Sequence, residues 1–273
     1  MKYPHSSTSG NKKDMGVSYK KFGYFQSEFE SFDVIVNSLG MKINNKVRRH
    51  PLVFLLEAAD DIAYSVADIE DGCKKGLITL EVLKKKMYRY LDSSNPSEYE
   101  ILSTLENINV DPNYPQPLEV IASIFRIKIQ NFMIDASIKA FINNHDKILS
   151  GDFDMDLLDL SEAEGLKKAF KELGEILYNC KEVLKLELTG DKIITVLLEE
   201  FTKAITSPKR SRKGSKEEKL YNLISSNYRF LMEKYSDSEN KLYNELRLIT
   251  DFICGMTDSY ALDLYRSITA INI

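Results

Sequence analysis

The sequence is poor in the residues that form tight turns, with 12 glycines and 7 prolines among 273 residues. An all-β protein needs many tight turns, so this shortage argues against one. Long stretches are instead rich in leucine, lysine, glutamate and isoleucine, which favour helices. We therefore expect an all-α, multi-helix fold and predict no sheet.

Cysteine is equally scarce. Cys73, Cys180 and Cys254 lie far apart and do not form the spacing of a metal site. An odd, scattered set of this kind predicts reduced thiols and argues against a disulfide framework.

The sequence also lacks any apolar stretch long enough for a signal peptide or a membrane span. The formal net charge is −4, which gives no electrostatic reason to expect nucleic acid or an anionic membrane as the main partner. We expect a cytoplasmic protein with no membrane partner.

Helical patterns run through most of the chain. They predict helices at 28–39, 52–71, 79–91, 118–143, 162–178, 191–204, 217–235 and 242–268. Gly40 and Gly72 are expected to end the first two of these helices. Residues 92–117 contain four prolines and are predicted to form turns. The basic segment 207–216 is predicted to be a solvated linker, and contact with phosphates is its alternative role.

The predicted helix 52–71 carries the most informative pattern. Its first turns are apolar on every side, which is typical of a helix buried on most faces. Asp60, Tyr64 and Asp68 follow at intervals of four, so they share one stripe of the helix. A carboxylate among apolar residues has to be paired, hydrogen-bonded or bound to a cation, so Asp60 indicates a functional site. For Asp68, a solvated acidic helix end is the alternative interpretation.

Three segments of the chain resemble the dGTP triphosphohydrolases of the HD superfamily. Residues 49–71, with EAADDIAYS at 57–65, resemble the last metal-binding helix of that family. The segments KYP at 2–4 and KKFGYFQSE at 20–28 resemble the loop that precedes this helix. Residues 251–261, DFICGMTDSYA, resemble the family's C-terminal signature. The three motifs occur in the family's order and span essentially the whole chain.

The resemblance implies an activity and a set of site residues. Members of the family cleave a deoxynucleoside triphosphate, dGTP or another dNTP, into a deoxynucleoside and tripolyphosphate, using a divalent metal, Mg²⁺ or Mn²⁺. By similarity, Asp60 is a metal ligand. The positions that match substrate-contacting residues are Tyr64 and Asp68 for the sugar, and Lys2, Tyr3 and Lys21 for the triphosphate.

The resemblance also implies an HD-superfamily phosphohydrolase-like helical domain that is incomplete at its N-terminus. Residues 1–150 would form the C-terminal part of the HD-like catalytic core, and residues 151–273 a helical C-terminal region packed on it. A homo-oligomer is expected because family members assemble with themselves. Single-stranded DNA is a further candidate partner.

The chain departs from the family pattern in its histidines. The family holds its metal with a His, a His-Asp pair and a later Asp, and the first two motifs belong upstream of residue 2. The histidines here are His5, His50 and His145. His145-Asp146 follows Asp60 in the sequence, so we interpret it as a pair at a helix end. His50 is predicted to be a helix-entry residue, and His5 to lie in a mobile start.

One carboxylate is too few to hold a catalytic metal of this kind. We therefore expect the chain alone to have little or no triphosphohydrolase activity, with the missing N-terminal half as a partner. The alternative is a non-catalytic helical module for nucleotide binding or oligomerisation. An HD phosphodiesterase of another specificity is a third, disfavoured hypothesis.

The C-terminal signature also has a structural interpretation. Residues 255–258 are expected to interrupt a helix, with a new cap at Thr257 or Asp258. The apolar side chains before and within this interruption fit one buried face, and they are Ile249, Phe252, Ile253 and Met256.

Overall fold

A computed structural model describes residues 2–9, 16–44, 46–108, 117–235 and 240–270. The chain divides into two compact units, residues 1–180 and 181–273. Each unit is built around its own cluster of buried apolar side chains. Apart from one small hairpin, the regular structure within the described residues is helical, which confirms the all-α class.

The first unit contains seven α-helices in its described part. They are α1 (Phe29–Ser38), α2 (Leu52–Lys74), α3 (Leu80–Tyr90), α4 (Pro96–Asn107), α5 (Pro117–Asn143), α6 (His145–Ser150) and α7 (Glu164–Tyr178). Short 3-10 helices occur at Ser7–Ser9, Val17–Tyr19, Gln26–Glu28 and Leu158–Leu160.

The hairpin was not expected from the sequence. Strand β1 (Lys42–Ile43) pairs antiparallel with β2 (Lys46–Val47), and Lys42 lies opposite Val47. Its turn begins at Asn44, whose φ of 49° is a left-handed conformation that asparagine tolerates better than most residues. The prediction of no sheet was wrong for these four residues.

Helices α2 and α5 form the core of the first unit. Both are long, and they pack along each other through Ile62 and Val66 on α2 and through Ile129 and Met133 on α5. All four side chains are at most 4% exposed. Burying an aliphatic side chain of this size contributes about 1.5–3 kcal/mol, so this contact stabilises the position of α2.

Helix α2 begins where it was predicted but ends later. The His50 ring accepts a hydrogen bond from the Leu52 amide (3.2 Å), which confirms His50 as a helix-entry residue. Gly72 does not end the helix. Ile78 approaches so closely that a Cβ at Gly72 would lie 2.7 Å from its Cδ1, so this glycine serves packing. The left-handed turn after the helix falls at Gly76, with a φ of 68°.

Helix α4 lies in the region that was predicted to form turns. The Asn95 side chain accepts a hydrogen bond from the Ser97 amide, and Pro96 occupies the first helical turn, where a missing N–H is tolerated. Ile101 and Leu105 bury one face of the helix. The prediction of turns from the number of prolines was therefore wrong here, because Pro96 starts a helix. Pro112 and Pro115 lie outside the described residues.

The units divide at Cys180, later than the predicted boundary at residue 150. The physical reason is α7, which packs against α2 and α3 through Leu166, Phe170 and Leu173. The assignment of catalytic and C-terminal domains remains a prediction.

The second unit contains five α-helices in its described part. They are α8 (Lys181–Thr206), α9 (Lys216–Leu223), α10 (Ser226–Tyr235), α11 (Lys241–Cys254) and α12 (Asp258–Thr269), with a 3-10 helix at Pro208–Ser211. Leu197 and Phe201 of α8 pack with Ile249 and Phe252 of α11 to form its core.

Three predictions for this unit need correction. Helix α8 starts ahead of the predicted residue 191, and its early turns are mostly exposed, so they carry no burial pattern. The predicted helix 217–235 breaks at the buried Ile224. Segment 207–216 is not only a solvated linker, because Arg210 is ion-paired with the buried Glu245 (2.9 Å).

The predicted interruption near residue 255 is confirmed. Helix α11 ends at Cys254, and the Thr257 side chain caps α12 by accepting a hydrogen bond from the Tyr260 amide (3.3 Å). Ile249, Phe252 and Ile253 are buried as expected, while Met256 is partly buried. Within the described residues, no helix is both long and apolar enough to cross a bilayer.

Candidate functional site

One face of α2 is solvent-accessible along five residues spaced by four. They are Leu52, Leu56, Asp60, Tyr64 and Asp68. The two leucines are 62% and 59% exposed and Tyr64 is 69% exposed, whereas Asp68 is partly buried. Around this stripe Val53, Phe54, Glu57 and Ala58 are buried, so the first turns are buried on most faces, as expected. The predicted Asp-Tyr-Asp stripe continues towards the N-terminus as an exposed apolar stripe.

Lys2 and Asp60 are brought together, although 58 positions separate them in the sequence. Lys2 Nζ donates a hydrogen bond to Asp60 Oδ2 at 2.9 Å and lies 4.0 Å from Glu57 Oε1. Partial burial acts to lower the pKa of Lys2, but the hydrogen bond and the charges of both carboxylates raise it overall. Two of the predicted site residues therefore meet on the exposed face of α2.

A buried ion pair holds the chain around Lys2 and Tyr3 in place. The Arg49 guanidinium is paired with the Glu57 carboxylate, and both residues are buried. Arg49 Nε also donates to the Lys2 carbonyl oxygen (3.1 Å). The guanidinium lies over the rings of Phe54 and Tyr3, at 4.8 and 5.9 Å from their centroids. Sequence reasoning missed this role, although a glutamate inside an apolar helical turn was a usable signal.

The segment that carries Lys21 is anchored by the loop after α6. The Ser18 amide and hydroxyl both donate to Asp154 Oδ1, at 2.9 and 2.6 Å. Lys20 is ion-paired with Asp156 at 3.3 Å. Lys21 itself is exposed, and no described contact joins it to Lys2 or Asp60. The structure thus anchors this segment without bringing Lys21 to the other predicted residues.

A cleft of about 480 Å³ lies between α2 and α7. Tyr64 and Asp68 line one wall of the cleft, and Lys167, Lys171 and Tyr178 line the other. Its apolar lining comes from Ile69, Met133, Leu158 and Phe170. The two residues predicted to contact a sugar therefore face one common cleft.

The Tyr178 hydroxyl donates a hydrogen bond to Asp68 Oδ2 across the cleft. This hydrogen bond, together with loss of hydration, raises the pKa of Tyr178 to about 12. Tyr178 is not among the site residues predicted from the sequence. No sequence signal could have found it, because it lies 110 positions after Asp68.

Charged groups at the other end of the cleft influence one another. Lys167 contacts Asp159 at 2.6 Å and Asp156 at 3.4 Å. Loss of hydration acts to raise the pKa of Asp156, but Lys167 and Lys20 lower it overall. Asp61 is exposed to solvent at the wall of the cleft, but its partial loss of hydration there still prevails over the attraction of Lys167 and raises its pKa. Two carboxyl groups near one lysine thus have pKa values shifted in opposite directions.

The described residues do not form a metal site. Nowhere among them are three His, Cys, Asp or Glu side chains grouped so that they could hold a metal ion. His145 lies on α6 beside Asp146 (3.4 Å), and His5 stacks on the Tyr19 ring (3.8 Å). Asp60 is ion-paired with Lys2. The side chains present do not fit a catalytic divalent cation, and we derive no step through one.

Comparison with known proteins identifies relatives over the whole chain. The model of the phosphohydrolase-associated domain matches residues 161–267. A deoxyguanosinetriphosphate triphosphohydrolase-like protein of Listeria monocytogenes is 35% identical over 279 aligned residues, which cover 100% of this chain and 58% of that protein. The chain is a homologue of the dGTP triphosphohydrolase-like proteins.

Other relatives carry the same kind of name. A triphosphohydrolase-like protein of Synechocystis is 27% identical across 100% of this chain and 58% of its own length. A deoxyguanosinetriphosphate triphosphohydrolase of Yersinia pestis is 27% identical across 92% of this chain and 54% of its own length. Each of these names denotes a hydrolase.

The homology confirms the recognition made from the three sequence motifs. The chain spans less than two thirds of the length of these relatives, so their names do not establish an activity for it. The roles assigned to Asp60, Tyr64, Asp68, Lys2, Tyr3 and Lys21 stay predictions.

Proposed function

We propose that this chain supplies the deoxynucleotide-binding face of a triphosphohydrolase that converts dGTP, or another dNTP, into a deoxynucleoside and tripolyphosphate. The observation that carries the proposal is the exposed face of α2. It presents Asp60 beside Lys2, and one and two turns later it presents Tyr64 and Asp68 to a cleft. The names of the relatives support the same reaction.

The size and lining of the cleft suit a nucleoside. Ligand pockets typically have volumes of roughly 300–1,000 Å³ and combine apolar walls with a few polar groups. The cleft has about 480 Å³ and combines Phe170, Met133 and Ile69 with Tyr64 and Asp68. In this arrangement the sugar lies against Tyr64 and Asp68, and the triphosphate extends towards Lys2 and Tyr3.

Basic side chains make the end of the site that would bind the triphosphate positively charged. Lys2 is held by the Arg49 contact to its carbonyl oxygen, so its ammonium group is presented next to Asp60. Lys21 is assigned to the same end from the resemblance alone. Cationic side chains stabilise the negative charge on phosphoryl oxygens.

A catalytic metal needs more ligands than this chain contains. We therefore assign catalysis to a complete protein in which residues outside this chain supply the other ligands. The proposed cation is Mg²⁺ or Mn²⁺, and Asp60 is the residue of this chain proposed to contact it. Alone, the chain is expected to release no tripolyphosphate from dGTP. We assign the protein to the cytoplasm.

A chimera tests the proposed function. It joins the part of the Listeria monocytogenes relative outside the aligned region to this chain, and tripolyphosphate is measured by ion chromatography with dGTP and Mn²⁺. We expect activity in the chimera and none in the chain alone. Asp60→Ala should abolish the activity, while Asp71→Ala, an exposed carboxylate on the same helix, should leave it unchanged.

Two outcomes contradict the proposal. A folded but inactive chimera would remove the support for a hydrolase, provided that the Yersinia pestis relative is active in the same assay. Release of tripolyphosphate by the chain alone would show that the assignment of missing ligands is wrong.

The exposed leucines favour a second function, a non-catalytic helical module that assembles with other chains. Leu52 and Leu56 place two apolar side chains in solvent on the stripe that leads to Asp60. Exposed apolar patches commonly mark protein interfaces. A homo-oligomer is the proposed assembly, and light scattering of Leu52→Glu with Leu56→Glu tests it. Loss of the oligomer supports this function, and an unchanged mass contradicts it.

A further inference from the structure

Tyr178 occupies a defined position at one end of the cleft. It is the last residue of α7, and its ring lies against Gly174 on the preceding turn, where an added Cβ would be 3.4 Å from ring atom Cε2. The ring therefore rests on a stretch of helix that has no side chain. From this position its hydroxyl reaches α2 and donates to Asp68 Oδ2.

This hydrogen bond restricts the Asp68 carboxylate. The terminal torsion of an aspartate has a broad energy profile, so a carboxylate at a partly exposed site samples many orientations. Tyr178 is 48% exposed, with its ring resting on Gly174 on one side, and its hydroxyl selects one of these orientations, with Oδ2 towards Tyr178. The second carboxylate oxygen is thereby given a fixed direction as well.

The chemistry of the proposed ligand identifies the group that this oxygen would accept. In a deoxynucleoside 5′-triphosphate the 3′-hydroxyl is the only free hydroxyl group on the sugar. A hydroxyl group is a hydrogen-bond donor, and an ionised carboxylate is an acceptor only. The second oxygen of Asp68 and the 3′-hydroxyl are therefore a matched pair.

We propose that Tyr178 is a positioning residue that orients the Asp68 carboxylate to accept a hydrogen bond from the 3′-hydroxyl of a deoxynucleotide. The inference rests on the proposed function, because it requires a deoxynucleotide in the cleft. It extends that function by assigning sugar recognition to a pair of residues on two helices. Support residues of this kind sharpen recognition by fixing the group that contacts the ligand.

The first experiment tests the contact without any ligand. Tyrosinate absorbance is titrated between pH 9 and pH 11, with circular dichroism recorded in parallel to verify the helical structure. In the wild-type chain Tyr178 stays protonated over this range, because its pKa is raised to about 12. Asp68→Asn removes the charge that stabilises the protonated form. We expect one more tyrosine to ionise in Asp68→Asn than in wild type, and no such difference once Tyr178→Phe is combined with it.

The second experiment measures sugar recognition by calorimetry with dGTP and 2′,3′-dideoxy-GTP. A hydrogen bond to a charged acceptor contributes roughly 1.5–3 kcal/mol, so loss of the 3′-hydroxyl should weaken wild-type binding by about tenfold or more. In Tyr178→Phe the preference for dGTP should fall to about threefold or less. The affinity for the dideoxy nucleotide should not change, because that ligand makes no bond to Asp68.

Tyr99→Phe is the matched control. Tyr99 is an exposed tyrosine of α4 in the same unit, and it is not part of the cleft lining. It should keep the full preference for dGTP. A merely structural role for the Tyr178 hydroxyl would weaken binding of both nucleotides equally and leave their ratio unchanged.

The outcomes separate this proposal from the proposed function. If wild type binds dGTP and Tyr178→Phe keeps its preference over the dideoxy nucleotide, the positioning role is refuted and nucleotide binding stands. If Asp68→Asn does not alter the titration, the contact is absent and the positioning role is likewise refuted. If wild type binds neither nucleotide, the proposed function fails, and sugar positioning fails with it.

Discussion

Each unit contains an arginine–glutamate ion pair with a buried glutamate, and the two arginines differ in which backbone oxygen they hold. In the first unit Arg49 pairs with Glu57 and donates to the Lys2 carbonyl oxygen. In the second unit Arg210 pairs with Glu245 and donates to the Ile205 carbonyl oxygen, both at 2.9 Å. Both guanidinium groups also lie over aromatic rings.

The difference lies in burial and in the distance along the chain. The Arg49 side chain is 2% exposed and holds a segment that lies 47 positions away in the sequence. The Arg210 side chain is 25% exposed and holds the end of the helix that precedes it. An arginine paired with a glutamate and bonded to a carbonyl oxygen therefore positions part of the candidate site in the first unit. In the second unit the same arrangement fixes the turn after α8.

The largest expected effect is at the first pair. Glu57→Ala leaves the Arg49 charge buried without its partner, which typically costs about 3–5 kcal/mol. We expect the free energy of unfolding of the first unit to fall by about this amount, measured by hydrogen exchange of the slowest α5 amides. Residues 2–9 should exchange faster as well, since the Arg49 contact to Lys2 is disturbed.

An exposed glutamate provides the control for that measurement. Glu100 pairs with Lys128 at 3.5 Å and its side chain is 71% exposed. Glu100→Ala should change stability by less than about 1 kcal/mol. Equal losses for Glu57→Ala and Glu100→Ala would show that the buried pair is not special.

A smaller effect is expected at the second pair. Glu245→Ala removes a buried acceptor, but Arg210 retains access to water, so we expect a loss of about 1–3 kcal/mol. The measurement is exchange of the α8 and α11 amides, with residues 2–9 as an internal reference. Those residues should be unaffected. A loss larger than that of Glu57→Ala would reverse the comparison.

The smallest effects are expected in the charge cluster around Lys167, and they have opposite signs. Because the pKa of Asp156 is lowered, its ionised form stabilises the folded state, and Asp156→Asn should cost about 1 kcal/mol at pH 7. That cost should shrink as the pH falls below the ordinary aspartate value of 3.8, since the carboxyl group is then protonated in wild type also.

Asp61→Asn should behave in the opposite way. Because the pKa of Asp61 is raised, its ionised form is unfavourable in the folded state, so the variant should be slightly more stable than wild type at pH 7. The gain should disappear as the pH falls through this raised pKa, which lies above 3.8. Melting temperatures from pH 3 to pH 7 test both variants. Equal pH dependence in the two would contradict the opposed shifts.

Much of the helical architecture was predictable because its signals are local. The cap at Thr257, the entry at His50 and the stripe of Asp60, Tyr64 and Asp68 each depend on residues within a few positions. Local patterns gave wrong predictions where one residue type occurs in two structural roles. Gly72 has the residue type of a helix end but makes room for Ile78, and Pro96 has the residue type of a turn but starts α4.

The candidate site was predictable only along α2. Its periodicity placed Asp60, Tyr64 and Asp68 on one face, and the resemblance supplied Lys2. Arg49 begins the motif at 49–71, but its role is not predictable from the sequence, because its bond to the Lys2 carbonyl oxygen joins segments that no periodicity relates.

The sequence by itself determined the all-α class, most of the helices, the common stripe of Asp60, Tyr64 and Asp68 and the homology, since all of these follow from spacing and residue type. Only the tertiary structure decided which distant groups meet. It packs α7 against α2, which creates the cleft and brings Tyr178 to Asp68. It also places the Lys2 ammonium on Asp60 by means of a buried ion pair. The physical reason is that contacts between distant segments depend on how whole helices pack, and packing is a property of the folded chain.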